Sequence, residues 1–532
     1  MTDIKTDPIQ LEVFKHRFAS IAEEMGTVLQ KTSYSPNIKE RRDFSCAIFN
    51  PSGRMIAQAA HIPVHLGSMP LSVKSAISKY NHSLNPGDMI ILNDPFHGGT
   101  HLPDITLVSP VFELEMKPGE SASLIGFVAS RAHHSDVGGM SPGSMPVAQE
   151  IYQEGLIIPP IKLMEKGEIN QDLYNLILAN VRTPSERAGD LMAQIAANQR
   201  GDNRLNTLAA EFGVPTIHYY MEELLAYTER MVRNLLSKQE DGVYFFQDYL
   251  DDDGVTDEPV LIQTSLTIRG DSALVDFSGS ALQKLGSINA VYAITLSAVY
   301  YVFRCLLGVD VPNNDGCLVP IEVIAPPGTV VNAQHPAAVA GGNVETSQRI
   351  VDVLLGALAQ AFPDRIPAAS QGTMNNLTIG GTFRGNAFAY YETIGGGMGA
   401  MPGKEGPSGL HSHMTNTLNT PIEALEYAYP IRINQYKLRS GSGGEGKYRG
   451  GDGILREILF LSDAEVNLLS DRRVTKPYGL QGGMDGANGE NILIKDGREI
   501  KLAGKGRYPI KFGDILSIRT PGGGGFGTKE DV

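Results

Sequence analysis

Several features that define other protein classes are missing from this sequence. It has no tryptophan, and its three cysteines, Cys46, Cys305 and Cys317, are an odd set in largely apolar surroundings. Such cysteine usage argues against a disulfide framework and is typical of a reducing compartment. No run approaches the roughly 18 apolar residues of a membrane-spanning helix, and the first residues lack the apolar core of a signal peptide. We therefore predict a cytoplasmic protein with no membrane partner.

Basic residues are also scarce. The 45 lysines and arginines are outnumbered by 59 aspartates and glutamates, which gives a formal net charge of −14. Nucleic acids and anionic membranes are bound through clustered positive charge, so neither is predicted as a partner. The glycine-rich loops at 394–400 and 521–527 lack the Lys-Ser/Thr pair of a phosphate-binding P-loop. We predict that this chain itself binds no nucleotide.

Histidines, in contrast, are concentrated in one region. Seven of the 12 histidines lie within residues 61–134. Two stretches there combine histidine with aspartate at the edge of apolar, strand-like runs: NDPFHGGTHLPD at 93–104 and RAHHSDVGG at 131–139. Imidazole with carboxylate suits zinc, manganese or iron, whereas calcium prefers oxygen ligands alone. The pattern predicts one divalent metal between the two stretches; the alternative is a polar loop whose histidines form local hydrogen bonds.

The spacing within the first stretch favours a rigid turn. Pro103 fixes its own backbone and pushes the preceding residue toward extended geometry, so His101 and Asp104 should lie on a turn and not on a helix face. Gly98 and Gly99 let the chain bend tightly enough for His97 to approach His101. Asp104 then leads into a predicted strand at 105–108.

A second predicted strand, at 124–129, delivers His133 and Asp136 to the same place. Asp43 enters a predicted hairpin over 44–58, and it could either add a carboxylate to the metal or form an ion pair with Arg41 or Arg42. No cysteine lies in the cluster, which favours an open, catalytic kind of site over a structural zinc finger.

Other histidines remain ambiguous from sequence. His61 and His65 lie in a loop and could line a substrate pocket, although packing or capping fits them as well. His411 and His413 are two residues apart, and on a strand they would point the same way. They could bind a second metal or a substrate, or form a local hydrogen-bonded loop.

Periodicity predicts the overall organisation. With 532 residues, the chain exceeds what one hydrophobic core usually serves. Apolar residues repeat at helical spacing after Asp7 and over 170–181, 185–212 and 215–238, and strand-like alternation follows residue 240. We predict an α+β fold of several subdomains, with an N-terminal α/β metal-binding part, a helical middle and a β-rich C-terminal part. The predicted domains are 1–240, 241–430 and 431–532.

The two His/Asp stretches, with GSGGEGKYRGG at 441–451 and PGGGGFG at 521–527, resemble the hydantoinase B/oxoprolinase family over nearly the whole chain. The resemblance implies a beta-type subunit that works with a separate ATPase subunit of the hydantoinase A (HyuA) type, in a hetero-oligomer. ATP would be bound by that partner, because this chain lacks the ATPase half that single-chain oxoprolinases carry. Family members open cyclic amides such as hydantoins, 5-oxoproline or caprolactam, or they carboxylate ketones.

Carried onto this sequence, the resemblance implies that His101, Asp104 and His133, together with Asp43, hold the metal. The partner would phosphorylate the amide oxygen of a cyclic substrate, and the metal would activate a water toward that carbon.

Asp136 or His134 would act as the general base or orient a ligand. Two alternatives stay open. One is a ketone carboxylase, in which the metal stabilises an enolate; the other is a non-catalytic scaffold subunit with a purely structural histidine cluster.

Overall fold

The computed structural model describes residues 7–59, 62–80, 83–114 and 122–529, so His61 lies outside the described residues. In the N-terminal part the chain forms α1 (Pro8–Thr32), α2 (Pro36–Lys39), β1 (Phe44–Phe49), β2 (Met55–Gln58), α3 (Ser68–Tyr80), β3 (Met89–Leu92), β4 (Asp104–Phe112), β5 (Leu124–His133), β6 (Ile161–Glu165), β7 (Glu168–Ile169), α4 (Gln171–Ala179), α5 (Pro184–Phe212) and α6 (Val214–Leu236). Asp7 caps α1: its carboxylate accepts a hydrogen bond of 2.9 Å from the backbone N–H of Ile9.

Strands β1 to β7 form one sheet in the order β2-β1-β5-β4-β3-β6-β7, and the paired strands are antiparallel. Helices α1 and α5 pack on one face of this N-terminal sheet, and α3 packs on the other. Both faces are therefore buried, and alternate residues of β1 enter different cores. Ile48 packs with Phe14 and Phe18 of α1, whereas Phe49 packs with Val73 of α3.

The rest of the chain is richer in strands. It forms β8 (Gly242–Leu250), β9 (Val260–Arg269), β10 (Ser272–Asp276), α7 (Tyr292–Leu306), β11 (Ile321–Ile324), α8 (Ser347–Ala361), β12 (Asn376–Phe383), β13 (Asn386–Glu392), α9 (Ile422–Ala428), β14 (Ile431–Arg439), β15 (Gly453–Phe460), β16 (Ala464–Leu469), β17 (Glu490–Lys495), β18 (Arg498–Leu502), β19 (Lys505–Ile510) and β20 (Ile515–Arg519). The predicted α+β class is thus confirmed. Within the described ranges no helix combines the length and apolarity needed to cross a bilayer.

Three further sheets organise this half. The second sheet has the order β11-β10-β9-β8 and packs against α8. Residues 260–269 form the single strand β9, in which Thr264 continues the pairing with β8. The third sheet is β13-β12-β16-β19 and the fourth is β14-β15-β20-β17-β18. Strands from both sides of residue 430 join in the third sheet, and the domain boundaries stay a prediction.

Glycine-rich segments lie against one another near the C-terminal end. The N–H of Gly523 donates to the carbonyl of Gly451 at 2.9 Å, and the N–H of Gly444 donates to the carbonyl of Gly523 at 2.8 Å. A Cβ atom on Gly523 would lie 2.0 Å from the carbonyl oxygen of Met398. A side chain at position 523 would therefore collide with the backbone of Met398. The glycines at 521–527 therefore serve close backbone packing.

Candidate metal centre

Three predicted ligands meet at the ends of two inner strands of the N-terminal sheet, β4 and β5. Asp104 begins β4 and His133 ends β5, and the antiparallel register sets these two residues opposite each other. Nε2 of His101 lies 3.1 Å from Oδ1 of Asp104 and 3.1 Å from Nδ1 of His133, and those last two atoms are 3.2 Å apart. All three residues are buried. We call His101, Asp104 and His133 the triad.

The triad has the spacing of metal ligands. Nitrogen and oxygen ligands lie about 2.0–2.2 Å from zinc, so two ligands separated by an angle of about 90–110° are about 3.0–3.5 Å apart. The three distances of 3.1, 3.1 and 3.2 Å fit one face of such a coordination sphere. Two imidazoles with one carboxylate are also a donor set that zinc, manganese and iron accept. The residues present therefore fit a divalent cation.

Protonation also suits a cation. Burial alone would raise the pKa of Asp104, but the facing His101, His133 and His65 lower it well below its ordinary value. Burial lowers the pKa of His133 and of His65. Because metal ligands must be deprotonated, an ionised Asp104 beside a neutral His133 is prepared to bind.

Neighbouring side chains hold the triad in place. His65 lies with Nε2 at 3.4 Å from Oδ2 of Asp104 and with Nδ1 at 2.9 Å from the hydroxyl of Ser45. The ring of Tyr391 stacks on His133, with centroids 4.4 Å apart and planes at 18°. The role of His65 was ambiguous from sequence, and the structure shows that it contacts Oδ2 of Asp104. Contacts from a neighbouring side chain commonly orient the residues that bind a metal.

Asp43 lies beside the triad and outside it. Its backbone carbonyl accepts a hydrogen bond of 3.0 Å from the N–H of His133, and its carboxylate is 3.9 Å from the guanidinium of Arg41. Its negative charge also acts on His133 and His65, where it raises the pKa against the effect of burial. Of the two roles that the sequence left open, the structure shows the ion pair with Arg41, and the role of Asp43 as a metal ligand stays a prediction.

His134 and Asp136 contact other groups. His134 is buried, with Nε2 at 2.9 Å from the side-chain oxygen of Gln194 in α5, and burial lowers its pKa to about 4. The carboxylate of Asp136 accepts hydrogen bonds from Arg182, at 3.0 Å from the backbone and 2.9 Å from the side chain, and from the N–H of Gly138 at 3.1 Å. Both side chains therefore have partners that tie the loop after β5 to α5 and to the segment before it.

Asn343 is a site residue that the sequence analysis missed. It lies in a short π-helical turn, Gly342–Thr346, directly before α8. Its side-chain Nδ2 is 3.1 Å from Nε2 of His101, although the two residues are 242 positions apart. No histidine, aspartate or cysteine marks this segment, and its one glutamate, Glu345, stands alone, so it matches no metal-binding motif. π-helical turns occur often at functional sites.

Glu154 anchors the chain that leads to Asn343. One of its carboxylate oxygens accepts hydrogen bonds from the backbone N–H groups of Val339, at 2.8 Å, and Ala340, at 2.9 Å. The other oxygen is buried without a hydrogen-bond partner in the part of the chain that the structure describes. Burial raises the pKa of Glu154 to about 8.

This shift predicts a dependence of stability on pH. Between its ordinary pKa near 4.5 and its folded pKa of about 8, Glu154 holds a proton only in the folded state, so stability falls as the pH rises. The Glu154→Gln variant keeps the accepting oxygen and has no proton to lose. We expect its unfolding temperature to exceed that of the wild type by a margin that grows from pH 5 to pH 8, worth up to about 1.4 kcal/mol per pH unit.

Thermal unfolding at several pH values measures this margin. Glu258 is exposed, and Glu258→Gln should show a constant difference from the wild type. A constant difference for Glu154→Gln as well would mean that Glu154 is not protonated in the folded protein.

The remaining histidines make local contacts. His97 is exposed, with Nδ1 at 2.7 Å from a carboxylate oxygen of Asp94. His411 is 3.4 Å from the side-chain oxygen of Asn419, and His413 is 3.5 Å from a carboxylate oxygen of Asp352. His411 and His413 therefore meet different partners. Among the residues that the structure describes, the triad is the group of histidine, cysteine and acidic side chains that converges as metal ligands would.

Fold and site together describe an α+β protein with a buried His/Asp/His cluster at the ends of two inner strands of an antiparallel sheet. The family model for hydantoinase B/oxoprolinase matches residues 7–529. The chain belongs to the hydantoinase B/oxoprolinase family, which confirms the resemblance carried by its sequence motifs.

Individual relatives agree with this membership. An uncharacterized protein of Methanocaldococcus jannaschii is 46% identical, over 98% of this chain and 91% of that protein. 5-oxoprolinase 1 of Arabidopsis thaliana is 43% identical over 98% of this chain, but the match spans only 42% of that longer protein. The crystal structure of the ATP-dependent caprolactamase from Pseudomonas jessenii superposes with a TM-score of 0.90 at 31% identity, covering 98% of this chain and 92% of that one.

Proposed function

We propose that this chain is the metal-binding subunit of an ATP-dependent enzyme that hydrolyses cyclic amides. The observation that carries the proposal is the triad, in which two imidazole nitrogens and a carboxylate oxygen converge within 3.1–3.2 Å of one another in a buried site. The relatives named for 5-oxoproline and caprolactam supply the substrate class, a ring closed by an amide bond. The ATP dependence of the caprolactamase supports ATP as the energy source.

The partner is also part of the proposal. This chain aligns with 42% of the Arabidopsis 5-oxoprolinase 1, so that relative has a large part with no counterpart here. We propose that a separate ATPase subunit of the hydantoinase A type provides the missing activity and phosphorylates the amide oxygen of the substrate. The glycine-rich loops of this chain lack the lysine of a P-loop, which supports ATP binding by the partner.

The roles of this chain's own residues follow from their contacts. His101, Asp104 and His133 would hold zinc, manganese or iron, and Asp43 would contribute negative charge from beside them. A divalent cation at this position would supply the Lewis acidity that activates a water toward the carbon of the phosphorylated amide. His65 orients Asp104, and the stacked ring of Tyr391 fixes the plane of His133. Burial of the triad excludes bulk water, which strengthens every electrostatic interaction within the site.

His134 and Asp136 remain the proposed second layer of the site. Their contacts with Gln194 and Arg182 favour the positioning role that the sequence analysis gave as one of two possibilities. Each would hold the loop after β5, and with it the end of the strand that carries His133. A general base would then have to come from another group or from the substrate itself.

Reconstitution with the partner tests the proposed function. This chain, purified with its hydantoinase A-type subunit, is expected to open a hydantoin, 5-oxoproline or a lactam only when ATP is present. Product formation and phosphate release are measured across a panel that also contains ketones. Ring opening should not depend on bicarbonate.

Other outcomes identify the alternatives. A requirement for bicarbonate, with its carbon retained in the product, would make the complex a ketone carboxylase. If metal removal lowers the unfolding temperature but leaves turnover unchanged, the triad is a structural feature of a scaffold subunit. Either result would reject the proposed hydrolase mechanism.

A further inference from the structure

The geometry points to the side-chain amide oxygen of Asn343 as a fourth ligand of the cation that the triad would hold. This inference rests on the proposed metal site and extends it to the segment before α8. In the structure, the amide end of Asn343 lies 3.1 Å from Nε2 of His101. That distance equals the spacing between His101 and each of the other two triad atoms.

The orientation of the amide is the next step. In the structure, Nδ2 faces His101 while Oδ1 is buried without a hydrogen-bond partner among the described residues. Oxygen and nitrogen of an asparagine amide have nearly the same shape, and their assignment depends on the chemistry around them. A rotation of 180° about the last side-chain bond exchanges the two atoms and moves nothing else. The oxygen then occupies the position that is now 3.1 Å from His101.

The chemistry around His101 favours the rotated amide. Nε2 of His101 already has Oδ1 of Asp104 and Nδ1 of His133 as neighbours at 3.1 Å. With a cation between these atoms, the lone pair of Nε2 would point at the cation and could not accept a hydrogen bond from Asn343. Amide oxygens, in contrast, are ordinary ligands of hard divalent cations. A bound cation would therefore turn the oxygen of Asn343 inward.

The segment around Asn343 is fixed before any ligand arrives. Glu154 binds the backbone N–H groups of Val339 and Ala340, and the hydroxyl of Ser347 donates to the carbonyl of Asn343 at 2.7 Å. A Cβ on Gly342 would lie 1.9 Å from the carbonyl oxygen of Asn289, so this glycine lets the turn pack directly on another backbone segment. A ligand held by such a rigid support loses little conformational entropy on binding.

Metal affinity of the free chain tests the inference without any measurement of turnover. The dissociation constants for Zn²⁺ and Mn²⁺ are measured by competition with a chromophoric chelator. Asn343→Leu removes both amide atoms at similar size, and we expect it to raise the dissociation constants at least about ten-fold. Asn343→Asp keeps an oxygen and has no N–H to donate when ionised. It should bind at least as tightly as the wild type.

Asn198 provides a matched control. It is also a buried asparagine whose Oδ1 has no hydrogen-bond partner within the described part of the chain, and its amide donates to Leu107 and Ser109 of β4, beyond the triad. Asn198→Leu should leave both dissociation constants unchanged. Thermal unfolding checks that each variant is folded.

Several results would overturn the assignment of Asn343. Wild-type affinity in Asn343→Leu would exclude the side chain from the coordination sphere. Equal losses in Asn343→Leu and Asn343→Asp would mean that the amide acts by donating its N–H. If His101→Ala binds metal as the wild type does, or if the wild type binds none, the proposed metal site is rejected together with this inference. If His101→Ala loses a metal that the wild type binds, unexpected affinities of the Asn343 variants reject the role of Asn343 alone.

Discussion

Replacing His101 by alanine is expected to abolish ring opening by the reconstituted complex, to below about 1% of the wild-type rate, and to weaken metal binding by about 100-fold or more. His101 is the member of the triad whose Nε2 lies at 3.1 Å from both of the others. Its loss removes a ligand and leaves the carboxylate of Asp104 buried with one imidazole fewer beside it. Product formation and metal content of the purified chain are the two measurements.

The control lies four residues away. His97 is exposed and contacts Asp94, so His97→Ala should keep its metal and its activity. ATP binding by the partner subunit should be the same with either variant, because the triad belongs to this chain. Full activity in His101→Ala would remove His101 from the proposed site, and loss of ATP binding would indicate a defect in assembly instead of chemistry.

Part of the site could be predicted because local spacing determines it. The Pro103 turn brings His101 and Asp104 within reach of each other, and the apolar run at 124–129 predicts a strand that leads to His133. Antiparallel pairing of β4 with β5 then sets Asp104 opposite His133. The long helices α1, α5 and α6 were also predicted to within a few residues, because their apolar positions repeat at helical spacing.

Strand geometry accounts for the different surroundings of His134. Successive side chains on a strand point to opposite faces. His133, at the end of β5, faces His101 of the triad, whereas His134 faces Gln194 of α5. Counting histidines in the motif treats the two neighbours alike, whereas the alternation along β5 separates them. The same reasoning could have been applied to the sequence once the strand was predicted.

Long-range contacts could not be predicted from local patterns. Asn343 reaches His101 across 242 positions, and Tyr391 stacks on His133 from β13 in the third sheet. Neither residue lies in a motif that signals metal binding, and their approach depends on how the later sheets pack against the first. The N-terminal sequence thus predicts the triad, while its surroundings come from the second half of the chain.

A large effect on stability is expected from a substitution of Gly523. Gly523→Ala introduces a methyl group at 2.0 Å from the carbonyl oxygen of Met398 and 2.2 Å from its carbonyl carbon. These are backbone atoms, which cannot swing aside as the end of a long side chain can. We expect a loss of about 3 kcal/mol or more. It would be seen as a lower unfolding temperature in calorimetry or as failure to accumulate as soluble protein.

Gly308→Ala is the matched control, because a Cβ there has no heavy atom within 4 Å. Its unfolding temperature should differ little from that of the wild type, since neither crowding nor backbone strain opposes the methyl group. The contrast separates close packing from the general flexibility of glycine, which both substitutions reduce in the unfolded chain. Equal stability of the two variants would show that the segments around Gly523 can separate at little cost. The glycine run at 521–527 would then need an explanation other than backbone packing.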